Sequence, residues 1–130
     1  MTKEQHYKYW IEIAEKDWDI LNKLYDSKDY VYCLFFAHLS IEKLCKALWV
    51  KKNKNNYPPK SHNTYYILDQ ANIELSPEQI DFLLLLNEFN IEGRYPDYKQ
   101  KIFNICNKEY TDNILLKAKE IKEWLLNKLQ

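Results

Sequence analysis

Gly93 is the only glycine in the sequence, and its isolation excludes more than any motif does. β-rich chains place glycine at the positive-φ positions of hairpins and tight turns. A chain of 130 residues with 1 glycine and 4 prolines therefore reads as helices joined by few loops. Loops that cradle phosphate or a dinucleotide need two or three glycines close together, so neither motif is present.

Apolar spacing places the helices. Tyr7, Trp10, Ile11, Ala14, Trp18, Leu21 and Tyr25 recur at helical period and predict a helix from Glu4 to Tyr25. Asp29 is expected to cap the second helix, Tyr30 to Lys52, whose seam is Tyr30, Leu34, Ala37, Ile41, Leu44 and Leu48. Val31, Phe35, Leu39 and Trp49 point away from that seam. A helix apolar on two sides is central in its bundle or partly covered by another chain. Phe35, Leu39 and Trp49 are thus the expected dimer contacts.

The run KKNKNNYPPK, from Lys51 to Lys60, reads as a solvated loop. Ser61 is expected to cap a short third helix from His62 to Ala71, and Ser76 a fourth from Pro77 to Asn90. Residues Ile91 to Tyr110 read as an irregular crossing around Gly93, Arg94 and Pro96, with one helical turn near Lys99. The last helix is expected from Thr111, burying Ile114, Leu115, Ala118, Ile121, Leu125 and Leu129. The expected fold is a single all-α domain over residues 1–130, an up-down antiparallel bundle of about five helices.

Charge narrows the partners. Basic and acidic residues balance at 19 each, so no global field draws the chain to nucleic acid or anionic lipid. Arg94 is the sole arginine, which leaves one place for bidentate anion recognition. No apolar run approaches the roughly 18 residues of a membrane span, and MTKEQHYKYW lacks a signal-peptide core. Cys33, Cys45 and Cys106 form no C-x-x-C pair and read as reduced, packed thiols of a cytoplasmic protein.

Few residues can carry chemistry. His38, Glu42 and Lys46 lie at i, i+4 and i+8 on the second helix. They read either as a surface ion-pair ladder or as the polar edge of a ligand cleft or dimer seam. Asp17 falls on an apolar face, where a carboxylate needs a Tyr or Lys partner. His62 at a helix start reads as structural. His6, His38 and His62 lack ligand spacing, so neither metal nor cofactor is expected. In Glu92-Gly93-Arg94-Tyr95-Pro96-Asp97-Tyr98 a guanidinium beside aromatic rings suits a phosphate or a stacked base. The same stretch also reads as a rigid interhelical corner with Arg94 paired to Asp97 or Glu92.

Four elements in order resemble the HEPN family, small helical domains often encoded beside minimal nucleotidyltransferases. They are Ala14-x-x-Asp17, then Ala37-His38-Leu39-Ser40-Ile41-Glu42-Lys43-x-x-Lys46-Ala47, then Pro59-Lys60-Ser61-His62-Asn63, then Arg94-Tyr95-Pro96-Asp97. The resemblance implies a bundle with a four-helix up-and-down core, often a homodimer, engaged in nucleotide- or RNA-related work. It implies the helical partner of a nucleotidyltransferase from a neighbouring gene, in a toxin–antitoxin type pair, or a metal-independent ribonuclease. In the ribonuclease branch a His follows the Arg after a short spacer; here those positions hold Lys99, Gln100 and Lys101, and no His follows His62. With the acid–base imidazole missing, a poor or inactive ribonuclease is expected.

The favoured reading is a nucleotide- or partner-binding module without catalytic activity of its own. In it Arg94, Tyr95, Asp97, Glu42, Lys43, Lys46 and His62 line the cleft, Arg94 taking an anionic group and Tyr95 stacking. The alternatives are an RNA-cleaving toxin built on Arg94 and a purely structural protein-interaction domain.

Overall fold

The computed structural model describes residues 1–90 and 96–130 and, within those ranges, every side chain but those of Pro96, Tyr98 and Lys99. The described residues form six helices and no strand: α1 (Lys3–Asp26), α2 (Tyr30–Lys52), α3 (Thr64–Gln70), α4 (Pro77–Asn87), α5 (Pro96–Ile105) and α6 (Lys108–Leu129). The fold is all-α.

α1 and α2 form an antiparallel hairpin. Its pairing is tied at both ends: Lys3 Nζ donates to the Val50 carbonyl at 2.9 Å, and the Tyr25 and Tyr30 rings meet at 5.9 Å. Midway, the Ser40 hydroxyl donates to the Ala14 carbonyl at 2.8 Å. Ala14, Ala37 and Ser40 are fully buried there, and their small size lets the two backbones approach. α6 runs antiparallel to α1, with Tyr25 bonded to Asp112 and Lys122 bonded to Glu15.

α2 is the central helix. Val31, Leu34, Ile41, Leu44, Cys45, Leu48 and Val50 are buried around its circumference. Of the two readings its double-sided pattern allowed, the central position holds within one chain. Phe35 is only 8% exposed, so its own chain covers most of the area it was expected to offer a partner. Leu39 and Trp49 are half-buried against the same core. Asp29 occupies the N-cap position, yet its side chain makes no capping bond. Burial, at about 1.5–3 kcal/mol per large apolar side chain, therefore holds this helix rather than its cap.

Three boundaries differ from those the sequence suggests. α3 starts at Thr64, because the Asn63 side chain accepts from the Tyr66 N–H. Ser61 instead accepts the Asn63 N–H, a local turn that leaves His62 outside the helix. α4 closes at Asn87, where the N–H groups of Glu88, Phe89 and Asn90 bond three residues back and tighten the chain. The expected irregular crossing contains α5, a ten-residue helix. Pro96 opens that helix instead of breaking it, since a first-turn position needs no N–H, and Ile102 and Cys106 bury one side of the segment. Asn107 then caps α6 by accepting from the Tyr110 N–H, so that helix begins at Lys108 rather than Thr111.

At two of the described helix ends a residue other than glycine takes the left-handed conformation. Lys28 has φ 64° after α1 and Asn72 has φ 57° after α3. A left-handed lysine costs about 1–2 kcal/mol. Lys28→Gly is expected to raise stability by about 0.5–1 kcal/mol net of glycine's greater unfolded-state entropy. The check is a higher urea midpoint at unchanged m-value. Among the described residues no helix is long and apolar enough to cross a membrane.

Candidate functional site

The His38–Glu42–Lys46 stripe lies inside the bundle, not on its surface. The three residues are 0%, 3% and 9% exposed, which overturns the surface-ladder reading. A buried carboxylate must be matched by donors, and Glu42 is matched twice. Lys46 Nζ reaches its Oε2 at 3.3 Å from one turn along α2, and His62 Nδ1 donates to its Oε1 at 2.9 Å from the α2–α3 loop. Lys46 Nζ also sits 5.5 Å from the centre of the Trp10 ring, a cation–π contact with α1.

His38 fixes the loop from behind. Its Nε2 lies 2.8 Å from the His62 carbonyl, and since a carbonyl only accepts, Nε2 carries the proton. Burial holds the His38 imidazole below its ordinary pKa, which favours the neutral ring. On the far side, Asn87 of α4 accepts from the Thr64 N–H at 3.0 Å and the Thr64 hydroxyl at 2.9 Å, and donates to Asn63 at 2.9 Å. The His62–Thr64 segment is thereby clamped between α2 and α4.

His62 is thus backed by a buried carboxylate while its own side chain stays 59% exposed. With Nδ1–H donated inward, the Nε2 lone pair is the atom left to meet a ligand's donor, or a proton.

A neutral buried His38 has a consequence for acid stability. Its folded pKa is depressed, so below the ordinary value of about 6.5 the unfolded chain takes up a proton that the native chain refuses. Stability is therefore complete above that pH and falls as pH drops through it, by at most about 1.4 kcal/mol per pH unit for the one proton. Urea unfolding at a series of pH values should show this slope, and His38→Gln should flatten it.

The remaining expected residues fall elsewhere. Lys43, grouped with Glu42 by sequence, faces α1 and forms an ion pair with Asp17, which is 8% exposed. That contact supplies the lysine partner Asp17 needs. Asp97 is exposed in the first turn of α5. Arg94 and Tyr95 lie outside the described residues, and with them the expected approach of that corner to Glu42 and Lys46.

Sequence reading missed Trp10 as the ring beside Lys46, and Thr64 and Asn87 as members of the clamp. It also missed a second polar cluster in which the Tyr25 hydroxyl donates to Asp112 at 2.5 Å and Lys108 Nζ reaches the same carboxylate at 3.0 Å. The hydrogen bond from Tyr25 holds the Asp112 carboxyl below its usual range, and the same bond raises the Tyr25 phenol. Only the i, i+4 spacing of Lys108 and Asp112 signalled it. Burial pushes the Cys33 thiol up to about 12 and Cys106 up to about 11, and raises Cys45 as well, so none is a thiolate at neutral pH. Among the described residues no three His, Cys, Asp or Glu side chains converge as a metal site.

The described residues thus form an all-α bundle whose central helix carries a carboxylate held by an ammonium and a loop imidazole. The model of the HEPN domain family matches residues 7–129, nearly the whole chain, and the protein belongs to that family. No curated protein and no solved structure matches the chain.

Proposed function

We propose that residues 1–130 form one nucleotide- and partner-binding module, the helical partner subunit of a minimal nucleotidyltransferase from a neighbouring gene, in a toxin–antitoxin type pair. The observation that carries this reading is the Glu42–His62 contact. It holds an exposed imidazole in one tautomer on a clamped loop, an arrangement suited to recognition. Arg94 takes an anionic group, Tyr95 stacks, and Asp97 and Lys46 border the same cleft. The absence of a second glycine supports a binding role over nucleotidyl transfer by the chain itself, because a triphosphate-cradling loop has no residues to form it.

The module dimerises in this reading. Tyr32, Phe36 and Leu39 recur at i, i+4 and i+7 on α2 and stay partly exposed, so Leu39 anchors the contact, with Trp49 beyond it and Phe35 adding little.

Amide spectra of the labelled protein titrated with ATP test the nucleotide half. Shifts are expected at His62–Thr64 and Arg94–Tyr98, lost in His62→Ala, and an unchanged spectrum would remove that half. Capture of the neighbouring gene's product, with and without ATP, tests the partner half. RNA incubated with the protein in chelator is expected to stay intact. Cleavage abolished by His62→Asn would replace binding with a hydrolytic role in which Glu42 orients the base.

A further inference from the structure

A second surface shares no residue with the Glu42–His62 cluster. α4 packs on α2 and α3, and α6 packs on α2, and residues of α4 and α6 line a common depression. Two adjoining grooves open between them, of about 400 and 320 Å³, joined through Glu78, Phe82 and Lys117. Their floor is apolar, formed by Phe82 at 8% exposure, Ile121 at 5% and the half-buried Trp124. Leu85, 38% exposed, extends that floor along α4.

The rim is acidic. Glu78, Asp81 and Glu120 face the groove with Lys117, and Lys128 lies at its Trp124 end. The N-terminus of α4, which opens into the groove, is already satisfied. Ser76 accepts from the Gln79 N–H, and the Gln79 side chain accepts from the Ser76 N–H. An anionic ligand would meet three carboxylates and a capped helix end, so a nucleotide or nucleic acid is the wrong occupant. The Trp124 ring already holds a cation, Lys128 Nζ at 4.7 Å.

We propose that the α4–α6 groove docks a basic amphipathic helix of a partner protein. Apolar side chains at i, i+3, i+4 and i+7 would enter between Phe82, Leu85 and Trp124, while flanking lysines or arginines meet Glu78, Asp81 and Glu120. This rests on the partner-binding half of the proposed function and specifies where and how the partner binds. It is independent of the nucleotide half.

The test uses the full chain and a fluorescein-labelled synthetic helix with leucine on one stripe and lysine elsewhere. Binding is expected with amide shifts confined to Glu78–Leu85 and Lys117–Trp124. Affinity should fall at least about tenfold in E78K/D81K/E120K, since reversing three rim charges turns attraction into repulsion. These are exposed positions, and an unchanged melting temperature verifies the fold. Leu85→Asn, which leaves the charges alone, should weaken the same peptide. Equal binding of a glutamate-for-lysine peptide, or of a lysine peptide with its leucines scrambled, overturns the proposal, as do shifts confined to other helices. Shifts of the groove amides by ATP overturn it by making the groove a nucleotide site. A change of solution mass in the triple variant overturns it by making the occupant a second copy. Loss of the ATP response at His62 with peptide binding intact counts against the nucleotide reading alone.

Discussion

Glu42→Ala is expected to destabilise the fold by about 3–5 kcal/mol, the range for removing one partner of a buried ion pair. The cost comes less from the lost attraction than from what remains. Lys46, with a side chain only 11% exposed, keeps its ammonium inside the bundle with the Trp10 ring as its other neighbour. His62 loses its acceptor, so the loop keeps one clamp, Asn87, and the backbone bond to His38. Domains of this size are stable by about 5–15 kcal/mol, so the loss is a large share of the total. Urea unfolding measures it, and a loss below about 1 kcal/mol would mean the cluster is hydrated and open. Glu42→Gln should cost less, because an amide oxygen still accepts from one neighbour. Glu42→Ala with Lys46→Met should recover part of the loss, since the stranded charge is gone.

Leu44→Ala should cost about 2–5 kcal/mol, the range for emptying a fully buried leucine site. Leu44 has no exposed area and lies at the middle of α2, where neighbouring helices cannot collapse onto the gap without moving one another. Leu39→Ala, on the partly buried stripe of the same helix, should cost less than Leu44→Ala in the monomer, about 1 kcal/mol, because part of its surface is already wet. The pair of substitutions tests the central placement of α2. Equal losses would mean the two faces of the helix are equally covered. A Leu39→Ala effect seen in solution mass rather than in monomer stability would identify the dimer contact.

Much of the bundle was legible because helical periodicity is a local property. The span of α2 was read correctly from Tyr30 to Lys52, and α1 to within a residue at each end. The α5 segment was not, because Gly93 and Pro96 are strong breakers when read singly, while the burial of Ile102 and Cys106 is a tertiary fact. The cap at Asn63 was missed for a similar reason: Ser61 and Asn63 are both good capping residues, and the tie from Asn87 engages Asn63.

The candidate site divides along the same line. His38, Glu42 and Lys46 share a stripe by spacing alone, and Asp17 shows its need for a cation by lying on an apolar face. No local rule reveals that Lys43 turns to Asp17 while Lys46, three residues on, turns inward to Glu42. That choice depends on which side of α2 meets α1 and which meets the loop carrying His62.

The sequence by itself determined five of the six described helices, the exclusion of phosphate-cradling loops and the family, because each rests on residue type and spacing along the chain. Only the tertiary structure decided that the stripe on α2 is buried, that His62 closes it, and that α4 and α6 line an acidic groove. Burial and charge pairing depend on distances between residues far apart in sequence, and those distances exist only once the helices have packed.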